Sequence, residues 1–258
     1  MITAKPTEHL TGITLSGEYQ DFHEIVEAIY RMTGLEEDYN DRFYGVKSRL
    51  LGICYEIRHA YMGDRDIELV ENGVDDEIIK WHERILPGEN LHYSVNLLFP
   101  EAVFIALAVS DMYIRPIQYY GERGKKSNEE EELPVNTCVD YLRDKAVLDL
   151  LCTVIISALA EVIGDEETEK LLRFKNNRYE VVFADYVTHY LDKCNVEYMK
   201  TEPEKRKDKL RNIAKKLIQK PAAYSHLKED MEYSARYYNC SIYELHDPKE
   251  KYSEEIEW

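Results

Sequence analysis

The sequence lacks the short motifs that mark the most common catalytic and phosphate-binding sites. HExxH, GxSxG, GxxxxGK(S/T) and GxGxxG do not occur, and the 11 glycines form no glycine-rich loop. Each of these motifs places a metal ligand, a nucleophile or a row of backbone N–H groups where its chemistry requires it. We therefore expect neither a bound metal nor a cofactor, and no enzyme of the classes that these motifs define.

Cysteines are present, but their spacing forms no pairs. The five residues are widely separated and include no CxxC pair: Cys54, Cys138, Cys152, Cys194 and Cys240. Disulfide-stapled secreted domains and structural zinc modules need paired, closely spaced cysteines. The pattern instead favours reduced thiols in a cytoplasmic protein.

Long uncharged apolar runs are also missing. The longest, residues 150–160, is well short of the roughly 20 residues that span a bilayer. The first ten residues, MITAKPTEHL, have neither the basic region nor the apolar run of a signal peptide. We expect a cytoplasmic protein that does not bind membranes.

Positive charge is in short supply. The chain has 33 lysines and arginines against 50 acidic residues, a net charge of −17. A protein that coats duplex nucleic acid needs a basic face, so this balance argues against that role. A local basic patch, binding to a basic protein surface and acidic mimicry of nucleic acid all remain open.

Alternation of apolar and polar residues predicts three short strands in the first half of the chain, near Ile13, Leu69 and Val95. The clearest is residues 91–99, where every odd-numbered residue is apolar. The strand near Leu69 is expected to be half buried. The helix that Pro100 opens is apolar on nearly all sides, which is typical of a buried core helix. These features predict an α+β fold with a small antiparallel or mixed sheet and packed helices.

Strands disappear after residue 121. The segment 121–134, GERGKKSNEEEELP, is too acidic to pack and is expected to be an exposed loop or a boundary. Beyond it, long apolar stripes indicate helices, including one that would carry Val182 to Tyr190. We predict an α+β domain at residues 1–120 and, at 135–258, a helical domain or a subdomain packed on the first.

The densest group of ionisable residues lies at the end of a helix with a buried stripe from Val46 to Tyr61, and in the turn and strand that follow. Its members are Arg58, His59, Asp64, Arg65 and Asp66. Arginines can clamp a phosphate, and a histidine beside carboxylates can transfer protons, so the group is a candidate catalytic site. The simpler interpretation is a structural ion pair of Arg58 with Asp64 or Asp66, with His59 on the helix face that carries Ser48 and Gly52. In that case Arg58→Ala destabilises strongly, His59→Ala does not, and a second helix can approach Ser48 and Gly52.

The segment 204–220 is a basic amphipathic helix with eight lysines and arginines against two acidic residues. Its local charge is therefore +6, which leaves −23 on the rest of the chain. We expect it to bind through Lys205, Arg206, Lys209, Lys215 and Lys216, all pointing outward. It would contact an acidic partner or a second copy, and it is the only segment through which the chain would bind nucleic acid.

Three segments resemble an uncharacterised bacterial protein family, a domain of unknown function. They are TGITLSGEYQDFHEIVEAIY, LGICYEIRHAYMGDRDIELVENG and HYSVNLLFPEAVFIAL, and the most specific part is RHAYxGDR at residues 58–65. The resemblance covers roughly the first 115 residues. It implies a bacterial or phage-borne cytoplasmic protein, and it transfers no catalytic residue because the family has no assigned activity.

Two functional hypotheses follow, from different classes. The first is a non-catalytic interaction protein, oligomeric or a subunit of a larger assembly, with a role in phage–host conflict as one setting. The acidic surface and the 21 tyrosines favour it, because tyrosine is enriched at interfaces. The alternative is a hydrolase of phosphate esters or nucleotides with its site at residues 58–66. A cavity lined by those residues would favour the enzyme, and an exposed apolar patch would favour the interaction protein.

Overall fold

The computed structural model describes residues 1–34, 38–82, 86–113, 137–178, 181–247, 251–253 and 255–258. The strands are β1 (Thr3–Pro6), β2 (Gly12–Gly17), β3 (Asp66–Glu71) and β4 (Glu89–Leu98). The first-half helices are α1 (Tyr19–Thr33), α2 (Tyr44–His59), α3 (Asp76–His82) and α4 (Phe99–Met112), with a π-helical turn (Ala60–Asp64) after α2. The second half contributes α5 (Cys138–Ile163), α6 (Asp165–Asn176), α7 (His189–Met199), α8 (Pro203–Gln219) and α9 (Ala222–Tyr238), then a 3-10 turn (Ile242–Glu244).

The strands form one antiparallel sheet in the order β1-β2-β4-β3, so the predicted α+β class is confirmed. On β2 and β4, Ile13 lies opposite Leu97 and Leu15 lies opposite Val95. Alternate residues of a strand face the same side, so these four side chains form one apolar face. All four are buried, and helices α1, α2, α4 and α5 pack against the sheet.

The helix α4 lies at the centre of the core, as its apolar sequence predicts. Pro100 occupies its first turn, where the missing N–H costs nothing, and most of its residues are buried. Phe104 meets the ring of Phe183 edge to face at a centroid distance of 5.3 Å. The helix therefore joins the sheet to the helical half.

The long helix α5 starts with the capping box that the sequence predicts. Thr137 Oγ1 accepts the backbone N–H of Asp140 at 3.2 Å, and the Asp140 carboxylate accepts the N–H of Thr137 at 2.7 Å. Within the described residues, α5 is the one helix long and apolar enough to span a membrane by length and composition. The core helix of a globular protein passes the same test. In this fold α5 packs against α1, α4 and β1, and its buried Asp144 accepts two hydrogen bonds of 2.8 Å from Arg31.

Two sequence expectations about local structure are wrong. The expectation that one face of β3 is buried is wrong: Ile67 and Leu69 are 49% and 64% exposed, because the long helix α5 packs against the opposite terminal strand, β1. Val182 and Tyr186 are buried as predicted, but residues 181–188 are turns and the helix begins only at His189. An apolar stripe at helical spacing reports burial, whereas the backbone conformation depends on what the segment packs against.

One cluster of buried apolar side chains includes residues from both halves of the chain. It runs from Ile2, the residue before β1, to Met231 of α9. The segment 121–134, proposed as a boundary, lies outside the described residues. The division into two domains therefore stays a prediction.

Candidate functional site

The ionisable group at residues 58–66 forms a corner between α2 and β3. Gly63, with φ of +90°, lets the chain reverse within the π-helical turn, a conformation that only glycine adopts without strain. His59 Nδ1 lies 2.8 Å from Asp64 Oδ2, and Arg65 Nη2 donates to Glu56 Oε2 at 2.8 Å. A histidine–carboxylate hydrogen bond and an arginine–glutamate ion pair thus hold this corner, and both are partly exposed.

The predicted role of Arg58 in a buried ion pair is wrong. Arg58 is exposed, and its Nη1 donates to the hydroxyl of Tyr30 at 3.1 Å. The arginine that pairs with a carboxylate at the corner is Arg65, while Asp66 lies exposed at the start of β3. The position of Arg58 at the edge of the apolar stripe therefore did not show which of the two arginines pairs with a carboxylate.

We now expect Arg58→Ala to leave the melting temperature unchanged within experimental error. Water replaces the guanidinium as partner of the Tyr30 hydroxyl, and no buried charge is stranded. His59→Ala is expected to behave in the same way. Thermal unfolding followed by circular dichroism checks both variants, and a drop of several degrees for Arg58→Ala would contradict this account.

The second face of α2 borders a cavity of about 620 Å³. Ser48 and Gly52, which would let another helix approach closely, form part of its wall, and no described atom beyond its own stretch of helix lies within 4 Å of a Cβ built on Gly52. The other walls come from the start of α4, from α7 and from the segment after α9. Its ionisable wall residues include Arg49, Glu56, Glu101, His189, Asp192 and Asp247.

A network of hydrogen-bonded charged groups forms one wall of this cavity. Arg49 Nη2 donates to Asp192 Oδ2 at 2.5 Å and to the carbonyl oxygen of Thr188 at 3.1 Å. Arg49 Nη1 lies 3.5 Å from Glu101 Oε2. Asn195 Nδ2 donates to the same oxygen of Glu101 at 2.8 Å. The network therefore ties together α2, α4 and α7.

The C-terminal segment closes the same network. Tyr252 donates its hydroxyl hydrogen to Asp192 Oδ1 at 2.7 Å, and Asn195 Nδ2 lies 3.2 Å from the Tyr252 hydroxyl. His189 shares a hydrogen bond of 2.8 Å with the Leu245 carbonyl oxygen through Nε2. A carbonyl only accepts, so Nε2 carries the proton. The segment after α9 is thus fixed over the cavity by α7.

The network shifts the pKa values of Arg49, Glu101 and Tyr252 upward. Burial alone would lower the pKa of Arg49, but the charges of Glu101 and Asp192 outweigh it and hold that pKa above its ordinary value. Burial raises the pKa of Glu101, while Arg49 and the hydrogen bond from Asn195 oppose the rise. Burial and the neighbouring Asp192 raise the pKa of Tyr252. Arg49 therefore stays charged near neutrality and Tyr252 keeps its proton.

A second cavity, of about 900 Å³, lies between residues 39–41, α9 and the 3-10 turn. Several of its charged groups already have partners: Asp185 pairs with Arg42, and Lys228 with Glu232. None of Arg58, His59, Asp64, Arg65 and Asp66 lines either cavity.

The basic helix is amphipathic as predicted, with Leu210, Ile213, Ala214, Leu217 and Ile218 buried. Lys205, Lys215 and Lys216 are exposed, and Lys209 donates to Glu197 at 2.9 Å. The prediction that Arg206 points outward is wrong, because its side chain is only 6% exposed. The guanidinium donates to backbone carbonyl oxygens and to Thr11 Oγ1 instead. Arg206 stands one turn before Leu210 on the apolar stripe, a signal that the sequence already carried.

Sequence reasoning missed the network around Arg49. Its members lie up to 203 positions apart, so no local spacing links them. One signal was available: Glu101 is the only charged residue in the first eleven positions of α4, and the other ten are apolar. A lone charge on such a helix needs a partner when it is buried, and that requirement predicts a buried arginine or lysine nearby.

The fold and the cavity define an α+β protein with a four-stranded antiparallel sheet, a helical second half and a charged cavity without a recognised catalytic motif. The chain belongs to the family described as domain of unknown function DUF6904, whose model matches residues 2–258. The resemblance found in the first 115 residues therefore extends through the helical half. Neither a curated protein nor a solved structure is significantly similar to the chain.

Proposed function

We propose that the protein is a non-catalytic binding protein whose partner adds a basic, extended segment to the open edge of β3. The position of β3 carries this proposal: no other described strand pairs with its outer edge, and such an edge presents unpaired backbone N–H and C=O groups. Recognition by strand addition uses those groups for affinity and the side chains beside them for specificity.

The side chains next to this edge form an exposed apolar patch. Leu69 lies opposite Leu91, and Ile67 lies opposite Tyr93, all on the sheet face that continues into buried Val95. Ile67, Leu69 and Leu91 are 49%, 64% and 44% exposed. Exposed apolar patches with polar rims are typical of interaction sites, and a partner segment would cover this one.

The charge around the patch favours a basic partner. Residues 64–77 contain seven acidic residues and one arginine, a net charge of −6. A lysine- or arginine-rich segment would meet complementary charge, and an acidic one would be repelled. A partner of this kind is consistent with a subunit of a larger assembly.

The hydrolase alternative finds less support. His59 is hydrogen-bonded to Asp64, Arg65 is paired with Glu56, and no residue of the proposed catalytic group lines either cavity. Self-association or nucleic-acid binding through Lys205, Lys209, Lys215 and Lys216 stays a prediction, as does a role in phage–host conflict.

The central prediction is that Leu69→Asp weakens partner binding at least tenfold, because it places a charge in the middle of the patch. The melting temperature should not change, since the side chain is already exposed. Binding is measured with the partner captured by a photo-reactive residue at position 69 and then purified. Tyr237→Asp on α9, where Tyr237 is 73% exposed, is the matched control and should bind as the wild type does.

The sequence of the captured segment tests whether the partner is basic. The cross-linked residues should lie in a lysine- or arginine-rich stretch, and the amides of β3 should exchange hydrogen more slowly in the complex. Cross-links to α8 of a second copy, or full binding by Leu69→Asp, would contradict the proposal.

A further inference from the structure

We propose that the exposed face of helix α5 pairs antiparallel with the same face of a second copy of the chain. The other sides of α5 pack against α1, α4 and β1. On its open side, Val139, Leu142 and Leu150 are 72%, 57% and 41% exposed. Their positions, i, i+3 and i+11, fall on one side of a helix. The solvent side of a helix ordinarily carries polar and charged residues, so an apolar one of this length indicates a surface that a partner covers.

The remaining residues of this face are small, and its hydroxyl groups have their hydrogen-bond acceptors within the helix. Ala146, Thr153 and Ser157 continue the stripe and are exposed. Thr153 Oγ1 donates to the carbonyl oxygen of Asp149 at 2.7 Å, and Ser157 Oγ donates to that of Thr153 at 3.0 Å. Because these acceptors lie one turn earlier in α5, both hydrogen bonds persist when another surface covers the face. The face can therefore be buried without stranding a donor.

One basic and one acidic residue flank the face, and their placement selects a second copy as the occupant. Arg143 and Glu161 are 18 positions apart, which is five turns at 3.6 residues per turn, so both lie at the same angle around α5. A two-fold axis at the level of Cys152, midway between them, would place Arg143 of each copy opposite Glu161 of the other. A parallel pair would instead place like residues at the same level. The antiparallel pair therefore gains two ion pairs at once.

Both groups have hydrogen-bonding capacity left for that contact. Glu161 is exposed and has no ion-pair or hydrogen-bond partner among the described residues. Arg143 donates from Nη2 to Glu24 Oε1 at 3.1 Å, and its side chain is 60% exposed. A guanidinium has five N–H donors, so the bond to Glu24 leaves donors for a second carboxylate.

The packing and the net charge agree with the same arrangement. The axis at Cys152 would place Leu150 of one copy opposite position 154, between Thr153 and Ser157 of the other, so a large side chain meets two small ones. At −17, two copies repel each other over acidic surface, whereas the residues of this stripe carry no charge. The same net charge disfavours an anionic lipid surface as the occupant.

The oligomeric state of the full chain tests the proposal. Sedimentation velocity over a concentration series should show a reversible dimer. Leu150→Glu should raise the dissociation constant at least tenfold, because it places a charge at the centre of the face, and Leu142→Glu repeats the block independently. Tyr237→Asp on α9 is the matched control and should dimerise as the wild type does. A wild type that is monomeric at every concentration, or that binds phosphatidylcholine vesicles in place of dimerising, would overturn the proposal.

Charge exchange tests the contact between the two flanking residues. Arg143→Glu and Glu161→Arg should each weaken the dimer, and the double variant should recover most of the wild-type affinity because the pair is restored with its signs reversed. Glu24→Gln, which removes only the contact within the chain, should leave the dimer unchanged. A double variant whose loss equals the sum of the two single losses would show that these side chains do not meet.

Single cysteines on α5 test the orientation. The background carries Cys138→Ala, Cys152→Ala and Cys240→Ala, which remove the exposed and partly exposed thiols. Thr153→Cys lies one position from the proposed axis and should form a disulfide between the two copies on oxidation. Val139→Cys lies 13 positions from the axis and should not. Cross-linking at both positions would indicate a parallel pair and overturn the antiparallel one.

This proposal and the one for β3 fail separately. Helix α5 packs against β1, whereas the proposed basic segment joins β3 at the other end of the sheet. Leu69→Asp should therefore dimerise normally, and Leu150→Glu should bind the basic partner normally. Loss of the dimer in Leu69→Asp would place self-association at β3 and overturn the assignment to α5.

Discussion

Replacement of Arg49 by alanine is expected to reduce the free energy of unfolding by about 3–5 kcal/mol at neutral pH, the usual cost of removing one partner of a buried ion pair. Arg49 is 20% exposed, and its partners Glu101 and Asp192 are 17% and 21% exposed. Without the guanidinium, two carboxylates 2.5–3.5 Å from it lose their counter-charge. Urea unfolding measured by circular dichroism gives the change.

The pH dependence of the variant tests the cause. The unpaired carboxylates of Arg49→Ala should have raised pKa values in the folded protein. A raised folded-state pKa favours the protonated form, so the stability deficit should shrink as pH falls from 7 toward 5. Adding Glu101→Gln and Asp192→Asn to Arg49→Ala should recover part of the loss. A deficit that is independent of pH would show that lost packing, not stranded charge, causes it.

A matched control is Arg65→Ala, which removes the half-exposed pair with Glu56. The two side chains are 37% and 36% exposed, and pairs of that kind contribute at most about 1 kcal/mol. Equal losses for Arg49→Ala and Arg65→Ala would contradict the distinction between the two pairs.

Arg206→Ala is expected to cost about 3 kcal/mol, within the range measured for broken buried hydrogen-bond networks. The guanidinium donates to the carbonyl oxygens of Thr201 at 2.9 Å and His9 at 2.5 Å, and to Thr11 Oγ1 at 2.5 Å. The Thr11 hydroxyl in turn donates to the carbonyl oxygen of Glu257. One arginine thus joins α8 to the N-terminal loop and to the C-terminal residues.

Lys205→Ala is the control, because Lys205 neighbours Arg206 and its side chain is 74% exposed. Its unfolding free energy should equal that of the wild type within about 0.5 kcal/mol. Arg206→Lys should lose most of what Arg206→Ala loses, since an ammonium cannot reproduce the planar fork of donors. Full stability of Arg206→Lys would show that the charge alone suffices.

The burial of Arg206 determines which residues of the basic helix α8 can be changed to test it as a binding surface. Reversing Lys205, Lys215 and Lys216 to glutamate tests association without touching the core. Including Arg206 in such a variant would lower stability, and a loss of association would then have no clear cause.

The sequence by itself determined the elements whose signals are local. The apolar–polar alternation of residues 91–99 predicted β4, and the apolar stripe of α2 predicted its buried face. The capping box at Thr137 predicted the start of α5. Each signal depends on residues within a few positions of one another, because strand period, helix period and capping geometry are short-range properties.

Only the tertiary structure decided which surfaces stay uncovered and which charges meet. β3 alternates as a half-buried strand does, but its position at the end of the sheet leaves Ile67 and Leu69 exposed. Arg49, Glu101 and Asp192 come from three helices far apart in sequence. Their pairing follows from how α2, α4 and α7 pack, and no periodicity within a segment encodes the distance between segments.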